Sequence, residues 1–339
     1  MAEMTADKAQ KNTANAAESK VSVLCLTFNH EDYLRETLAG FLAQKTDFPF
    51  EVLVNDDAST DGTANILRDY AEKYPEIIRP FYQKENLYSK DVCIEYEILL
   101  PFARGEYIAF CEGDDYWTDP EKLQRQVDFL DTHPDYSACV HNSIGHFSGA
   151  NHPDELLFPS VGDRDLDFAQ IAKGLHVSFH TSSMLMRREY VENPPEFLIR
   201  SQAYGFTDYP QALWLAHHGK IRFLDKPMSV YRIGSNPDAW SSNQTKFYAR
   251  RRQFVAGEIA MFESMMPWLS ETEKQTAEKE LHARRFEYYY ITGQAERLLE
   301  PEFSDLFREK SRSFRLSTRM KKAFPALHRL YRKKKGYGD

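Results

Sequence analysis

The stretch YIAFCEGDDYWTDPEKLQRQ, residues 107–126, decides the fold class of this 339-residue chain. An apolar run of strand length, residues 107–111, leads directly into three acidic residues within four positions, Glu112, Asp114 and Asp115. The Asp-Pro pair that follows predicts the N-cap and first turn of a helix ending near residue 133. Ligands of α/β sheets bind beyond the carboxyl ends of the strands, so the acidic residues mark a candidate site.

The same order of strand, polar loop and helix occurs twice upstream. The runs at 21–26 and 50–55 are apolar and rich in β-branched residues, and apolar side chains recur at helical spacing after each. Further strands are predicted at 77–83, where Pro80 favours an edge position, and at 137–143. This alternation predicts an α/β fold with a mostly parallel sheet and flanking helices. The polar residues that follow the first two strands are Thr27, Phe28, Asn29, Asp56 and Asp57.

The alternation fades after residue 145, and the pattern turns strongly helical after residue 243. Helices are predicted over 248–266 and 270–292, and these long helices could also pair two copies of the chain. We therefore expect a solvated, disordered leader followed by an α/β domain and a helical C-terminal region with a basic tail. The predicted boundaries are 1–19 for the leader, 20–243 for the domain, with halves 20–143 and 144–243, and 244–339 for the helical region.

Composition excludes several classes of protein. Hydrophobic residues make up 42% of the chain, which is typical of a globular protein. No apolar run approaches the roughly 20 residues of a membrane span, and the first 20 residues lack the apolar core of a secretory signal. The four cysteines have no CxxC spacing, which argues against zinc ribbons and disulfide frameworks. Buried free thiols in a reducing cytoplasm are the expectation.

The formal net charge of −8 hides an asymmetry. Residues 308–335 carry twelve Lys or Arg and one Glu, a local charge of +11, so the rest of the chain is strongly acidic. An acidic body repels nucleic acid, so no nucleic-acid partner is expected. For the tail three interpretations stay open. It forms a solvated helix with one face packed on the body, or an interfacial helix on anionic lipids at the inner face of the cell membrane. RNA binding ranks third, because no readout motif accompanies the charge.

The strand-end carboxylates point to cation chemistry. The chain lacks GxGxxG, GxxxxGK[ST] and GxSxG, so the usual nucleotide loops and the hydrolase elbow are missing. Three carboxylates within four residues suit Mn²⁺ or Mg²⁺, which share their coordination between carboxylates and substrate phosphate. The plainer interpretation is an acidic helix cap. Asp56 and Asp57 form an ordinary turn, or accept hydrogen bonds from a base or ribose.

Three blocks of sequence in this order resemble glycosyltransferase family 2, which has the GT-A fold. They are VSVLCLTFNHEDYLRETL, EVLVNDDASTDGT and YIAFCEGDDYWTDPEKLQRQ, and they cover roughly residues 21–130. The third block is the most specific, because an acidic triplet, an aromatic pair and a Pro-x-Lys-Leu helix start coincide there. The resemblance implies transfer of a sugar from a nucleotide-sugar donor to an acceptor hydroxyl, with inversion at the anomeric carbon.

The resemblance also implies roles for matching positions. Asp57 or its neighbour Asp56 is expected to recognise a uridine-type base, and Asp114 and Asp115 to reach the ribose and, through the metal, the diphosphate. Glu112 receives less weight because many members have aspartate there. The implied donor-site residues are Thr27, Phe28, Asn29, Asp56, Asp57 and Asp114, and the implied metal ligands are Asp114 and Asp115, with Mn²⁺ or Mg²⁺ as cofactor.

The second half of the chain supplies the remaining candidates. In GFTDYPQALWLAHHG, residues 205–219, Asp208 matches the family's catalytic base, with Thr207 in place of a glutamate. Asp208 could equally be only a helix cap. Many members carry a metal-binding histidine where this chain has Gly234. Candidate acceptor-site residues are His180, Ser182 and Trp240, although His180 could equally be a core histidine.

The sequence thus predicts a metal-dependent inverting glycosyltransferase that uses a nucleotide sugar, with a UDP-sugar favoured. Its expected acceptor is a glycan or lipid-linked glycan in bacterial surface polysaccharide synthesis. The alternative is a non-catalytic sugar-nucleotide-binding or scaffold protein, which the missing histidine at position 234 favours. A nucleotidyltransferase ranks lower, because no basic phosphate loop lies near residue 21.

Overall fold

The computed structural model describes residues 19–147, 153–174, 178–234 and 247–324, without the side chains of 201, 202 and 247–250. The chain divides into a sheet unit, Met1–Gln202 with Asp208–Ser242, and a helical unit, Ala203–Thr207 with Asn243–Asp339. The predicted leader apart from Ser19, the candidate Trp240 and the tail beyond residue 324 lie outside the described residues.

A ten-stranded sheet forms the sheet unit, and the predicted α/β fold is confirmed. Strands β3, β2, β1 and β4 are parallel neighbours, with β3 at the edge, where Pro80 is tolerated. Beyond β4 the sheet is mixed, because β9 runs antiparallel to both β4 and β6. The strands are β1 (Val21–Thr27), β2 (Phe50–Asp56), β3 (Ile78–Tyr82), β4 (Tyr107–Phe110), β5 (Tyr116–Trp117), β6 (Tyr136–Phe147), β7 (Glu155–Leu156), β8 (Arg164–Leu166), β9 (Leu185–Arg187) and β10 (Lys220–Ile233).

Helices α7 and α8 lie within one residue of the predicted ranges 248–266 and 270–292. Ser270 caps the long helix α8 through a reciprocal capping box with Glu273. Within the described residues, no helix is both long and apolar enough to cross a membrane. The helices are α1 (Leu34–Leu42), α2 (Thr63–Lys73), α3 (Lys122–Thr132), α4 (Phe168–Ile171), α5 (Glu196–Ile199), α6 (Asp208–His218), α7 (Phe247–Met265), α8 (Glu271–Ile291), α9 (Ser304–Glu309) and α10 (Arg312–Ala323).

The main core lies between the parallel strands and helices α1, α2 and α3. Val21, Val23 and Cys25 alternate along β1 onto this face, and Leu34 and Phe41 of α1 pack against it. The intervening Leu24 is also buried, as expected for a parallel sheet covered on both faces. All four cysteines are buried free thiols, so the predicted burial of the thiols is confirmed. This packing fixes where β1, β2 and β4 end, and the candidate site lies at those ends.

Lys122 is a fully buried lysine at the start of α3. Its Nζ donates a hydrogen bond to Oε1 of Gln126 (2.8 Å) and lies 4.0 Å from the ring centroid of Trp117. Gln126 in turn donates to the backbone carbonyls of Cys139 (2.7 Å) and Ser183 (2.8 Å). Burial lowers the pKa of Lys122 to about 7. The lysine and glutamine thus join α3 to β6 and to the segment before β9.

The lowered pKa of Lys122 gives the protein a specific pH dependence of stability. Above pH 7 the unfolded chain holds a proton on this lysine that the folded chain does not, so the free energy of unfolding rises with pH. We expect wild type to gain about 2–3 kcal/mol over Lys122→Met between pH 7 and 9. Urea denaturation at a series of pH values measures this difference. The exposed-site variant Lys45→Met is the control, and equal pH slopes for wild type and Lys122→Met would contradict the assignment.

Candidate functional site

The end of β1 anchors the loops that follow β2 and β4. The amide of Asp57 donates to the carbonyl of Thr27 (2.9 Å), and the amide of Gly113 donates to the carbonyl of Leu26 (2.8 Å). A Cβ at position 113 would lie 2.8 Å from the Cβ of Thr27 and 2.9 Å from Nδ1 of His30. Only glycine therefore allows this close approach. The three predicted polar clusters therefore lie together at the carboxyl ends of the parallel strands β1, β2 and β4.

The two adjacent aspartates after β2 have different surroundings. Asp57 uses both carboxylate oxygens to accept backbone amides, from Leu87 (2.8 Å) and Tyr88 (3.0 Å). Asp56 is also buried, but its Oδ1 has no hydrogen-bond partner among the described residues. Burial raises the pKa of Asp56, and hydrogen bonding from Ser59 opposes that rise. Asp57 thus holds the loop after β3, whereas Asp56 keeps an acceptor available for a ligand.

Asn29 joins the loop after β1 to the loop after β2. It adopts a positive φ of 55°, a conformation that asparagine tolerates better than most residues. Its amide donates to Oγ of Ser59 (2.9 Å), and its Oδ1 accepts from the amide of Thr60 (2.8 Å). The neighbouring Phe28 is half-buried, and the buried Oγ1 of Thr27 has no hydrogen-bond partner among the described residues. Asn29 therefore holds the two loops together through contacts within the protein.

The acidic cluster after β4 crowds like charges together, with Asp115 buried and with Glu112 and Asp114 half-buried. Asp115 is only 1% exposed, and its Oδ1 accepts the amide of Arg232 (3.0 Å). The pKa of Asp115 lies well above its usual range, because the carboxyl is buried and because Asp114 and Glu112 add negative charge. Burial raises the pKa of Glu112 to about 8, and the charges of Asp114 and Asp208 contribute to the rise. Such crowding favours a cation at this place.

Arg232 of β10 supplies the positive charge that lies against this cluster. Its guanidinium donates to the backbone carbonyl of Asp114 and to the carboxylate of Glu36. It also lies 4.4 Å from the ring centroid of Tyr116. Thr37 holds the same loop from α1, since its Oγ1 lies 2.6 Å from the carbonyl oxygen of Asp115. The sequence analysis assigned no role to these residues, although the Tyr-Arg pair at 231–232 was a usable signal.

His30 is a second side chain that the sequence analysis left without a role. Its amide donates to Oγ1 of Thr63 (2.8 Å), and its Nε2 lies 3.9 Å from Oδ2 of Asp114. Burial lowers the pKa of His30, an effect that the Asp114 carboxylate opposes. Its Nδ1 is buried without a hydrogen-bond partner among the described residues. A neutral imidazole therefore borders the acidic cluster.

Asp208 faces the acidic cluster from the second half of the sheet unit. As the first residue of α6, it accepts the amide of Tyr209 at Oδ1 (2.8 Å), and Oγ1 of Thr181 lies 3.4 Å from its Oδ2. Burial raises the pKa of Asp208. Thr181 adjoins His180, whose Nδ1 lies 3.8 Å from Oδ2 of Asp115, so Asp208 lies near the acidic cluster. The charge of Asp208 also contributes to the raised pKa of Glu112. The helix start both caps α6 and holds this carboxylate at the site.

His180 lies between the cluster and β10. Its Nδ1 is 3.8 Å from Oδ2 of Asp115, and its ring centroid is 4.1 Å from that of Tyr231. Burial lowers the pKa of His180 to about 4, so the ring is neutral near pH 7. Ser182 is fully buried, with its Oγ 2.9 Å from Nδ1 of His180 and 3.0 Å from Oγ of Ser229. Ser182 therefore contacts the protein interior, and only His180 of this pair borders the site.

The described residues contain no group of three His, Cys, Asp or Glu side chains arranged to hold a metal ion. A Mg²⁺ or Mn²⁺ ion usually takes only one or two carboxylates from the protein, and completes its coordination with substrate phosphate and water. The crowded carboxylates of Asp114 and Asp115 fit that shared arrangement, since a cation would offset the repulsion that raises the pKa of Asp115.

Replacing Arg232 with lysine tests whether its guanidinium organises the site. Lysine keeps the charge but cannot bond the Asp114 carbonyl and the Glu36 carboxylate while lying against Tyr116. We expect Arg232→Lys to lower the free energy of unfolding by about 1–3 kcal/mol in urea denaturation. The exposed Arg35→Lys on α1 is the matched control and should change stability by less than about 0.5 kcal/mol. Equal losses in the two variants would count against this role.

Comparison with a protein-family profile and with known relatives shows which family the chain belongs to. The model described as Glycosyl transferase family 2 matches residues 22–193, just over half of the chain. An uncharacterised protein of Mycobacterium tuberculosis is 34% identical over 251 residues, which cover 70% of this chain and 66% of that relative. The matched region therefore spans slightly less than two thirds of this relative. The UDP-Glc:α-D-GlcNAc-diphosphoundecaprenol β-1,3-glucosyltransferase WfaP of Escherichia coli is 31% identical over 112 residues, 33% of this chain and 41% of WfaP.

A solved structure supports the fold. The mannosyltransferase PcManGT from Pyrobaculum calidifontis, in complex with GDP-Man and Mn²⁺, superposes with a TM-score of 0.53 and 18% identity. The superposition covers 96% of this chain and 87% of PcManGT. The parallel strands, the strand-end carboxylates and the sequence matches agree, and the chain belongs to glycosyltransferase family 2, with a GT-A fold.

Proposed function

We propose that this protein transfers a sugar from a nucleotide-sugar donor to an acceptor hydroxyl, with inversion at the anomeric carbon and with a divalent metal ion. The observation that supports the proposal is a chain of contacts, which runs from Asp56 through the end of β1 to the acidic loop, and from Asp115 through His180 and Thr181 to Asp208. Carboxylates with separate environments suit separate tasks, namely base recognition, metal binding and proton removal.

Asp56 supports the donor end of the proposal. Its buried Oδ1 can accept a hydrogen bond from the imide N–H of a uracil ring. A base without an N–H at that position would leave this buried oxygen without a hydrogen bond, and it would therefore bind more weakly. The nearby Phe28 offers a ring on which a base can stack. Thr27 completes this pocket with a buried hydroxyl. WfaP is named for the donor UDP-Glc, whereas PcManGT was solved with GDP-Man, so both nucleotides need testing.

The metal would be held by Asp114 and Asp115, and it would act as a Lewis acid on the leaving diphosphate. PcManGT was solved with Mn²⁺, which supports Mn²⁺ or Mg²⁺ in this protein. Arg232 lies against the same loop through the Asp114 carbonyl and adds fixed positive charge beside the acidic cluster. His30 borders Asp114 from the opposite loop. These side chains would orient the diphosphate for departure.

Asp208 is the proposed general base. The amide of Tyr209 and the hydroxyl of Thr181 orient its carboxylate, and burial raises its pKa toward the range useful for proton abstraction near neutral pH. It would remove the proton from the acceptor hydroxyl as that oxygen attacks the anomeric carbon from the face opposite the diphosphate. His180, beside Asp115, and Trp240, outside the described residues, are the remaining proposed acceptor contacts.

For the acceptor we propose a glycan or lipid-linked glycan, in the assembly of a bacterial surface polysaccharide at the cytoplasmic face of the membrane. Support comes from WfaP, which is named for a diphosphoundecaprenol-linked sugar. The second candidate function, a non-catalytic sugar-nucleotide-binding protein, is favoured by Gly234, which has a φ of +74° where many members of the family have histidine. Hydrolysis of the donor separates the two candidates, because an active transferase releases nucleoside diphosphate with water as acceptor and a binding protein does not.

The donor site is tested by calorimetric titration with UDP and with GDP, each in Mn²⁺ and in EDTA. We expect UDP to bind in Mn²⁺ and to lose most of its affinity in EDTA, because Asp114 and Asp115 alone repel a diphosphate. Asp56→Asn should weaken UDP at least tenfold through loss of a charged acceptor, which corresponds to about 1.4 kcal/mol. Asp69→Asn, at an exposed position on α2, is the control. Unchanged UDP affinity in Asp56→Asn would remove Asp56 from base recognition.

The catalytic step is tested with Asp208→Asn. The amide still accepts hydrogen bonds but cannot take the proton, so we expect turnover to fall about 10²–10⁴-fold while UDP affinity stays within a few-fold. The readout is UDP release from UDP-sugars with water as acceptor, and the exposed Asp32→Asn is the control. Undiminished release by Asp208→Asn would exclude it as the base. Tight UDP binding with no release by wild type would support the non-catalytic candidate.

A further inference from the structure

Helix α10 carries an exposed apolar stripe made of Leu316, Met320 and Phe324. These residues follow one another at four-residue spacing, which places them on one face of the helix as it ends. Their exposed fractions are 59%, 56% and 57%. Large apolar side chains that stay this exposed in a contiguous row are uncommon on a surface that faces only water.

The opposite face of α10 is already used for packing within the helical unit. The ring of Phe314 lies 5.1 Å from that of Tyr290 and 6.4 Å from that of Phe286, measured between centroids. Thr318 is buried, and its Oγ1 donates to the carbonyl of Phe314 (3.0 Å). Phe314 also packs against a buried cluster that contains Phe307. The helix is thus fixed by one face and presents the apolar stripe on the other.

The charge of α10 is entirely positive. Its twelve residues include five basic side chains and no acidic one, in a chain whose formal net charge is −8. At helical spacing, Arg312 and Arg319 lie along one border of the apolar stripe, and both are exposed. The basic residues of the helix are Arg312, Arg315, Arg319, Lys321 and Lys322.

We propose that α10 lies flat on an anionic lipid bilayer, with the stripe among the acyl chains and the arginines at the phosphates. An apolar face bordered by basic residues is the arrangement that binds at this boundary, because burial of the stripe and attraction to anionic headgroups add together. An acidic macromolecule would use the charges and leave the stripe exposed to water. The proposal does not depend on the proposed sugar transfer, although a lipid-linked acceptor would make the two compatible.

Sedimentation of the full chain with vesicles tests the proposal. We expect binding to vesicles of phosphatidylcholine mixed with phosphatidylglycerol, little binding to phosphatidylcholine alone, and weaker binding as NaCl screens the charges. Arg312→Gln, Arg319→Gln and Lys322→Gln together should lower partitioning about 100-fold, at about fivefold per charge. The control removes three exposed charges elsewhere, through Lys45→Gln, Lys84→Gln and Lys279→Gln, and should bind almost as wild type.

A second variant separates lipid insertion from simple charge attraction. Leu316→Asn, Met320→Asn and Phe324→Asn keep every charge, and we expect them to lower partitioning at least tenfold. If these asparagines leave binding unchanged while the glutamines abolish it, the surface binds polyanions by charge alone and the proposal is overturned. Binding of wild type to neither kind of vesicle also overturns it. UDP titration of each variant should match wild type, which separates this outcome from a failure of the donor site.

Discussion

The crowding of carboxylates in the loop after β4 is the constraint on which the rest of the site depends. Glu112, Asp114 and Asp115 cannot all remain ionised this close together without positive partners, and the raised pKa values of Glu112 and Asp115 express that conflict. Arg232 of β10 offsets part of this negative charge, since its amide bonds to Asp115 and its guanidinium to the carbonyl of Asp114. Under the proposed function, a divalent cation that arrives with the diphosphate of the donor would offset the remaining negative charge.

The backbone around this loop is held before any ligand arrives. The amide of Gly113 bonds to β1, and the carbonyl of Asp115 lies within hydrogen-bond distance of Thr37 on α1. Lys122 bonds to Gln126, and Gln126 bonds to the carbonyl of Cys139, which joins α3 to β6. Such preorganisation matters in a transferase, since charge develops on the leaving group and fixed dipoles stabilise it without rearranging. The buried polar residues around the site therefore serve its geometry as much as its chemistry.

The two units of the chain show separate uses of charge. In the sheet unit, acidic side chains are gathered inside, where burial changes their pKa values. In the helical unit, α10 displays basic side chains outside, where solvent and salt screen them. Buried charge suits a site that must hold a cation with precision of position. Exposed charge suits attraction to an extended anionic surface.

Periodicity and motifs are local properties of the chain, so they were enough to predict the α/β class, the strand ends and the family. They also located the carboxylates after β2 and β4, and the helix that starts at Asp208. Only the tertiary structure distinguished Asp56 from Asp57, since the amides that occupy Asp57 come from positions 87 and 88, some thirty residues away. Arg232 reaches Asp115 across 117 positions of sequence, so no local pattern could show that contact. The partners of buried polar groups are set by which strands pair and in what register, and that information exists only in the folded chain.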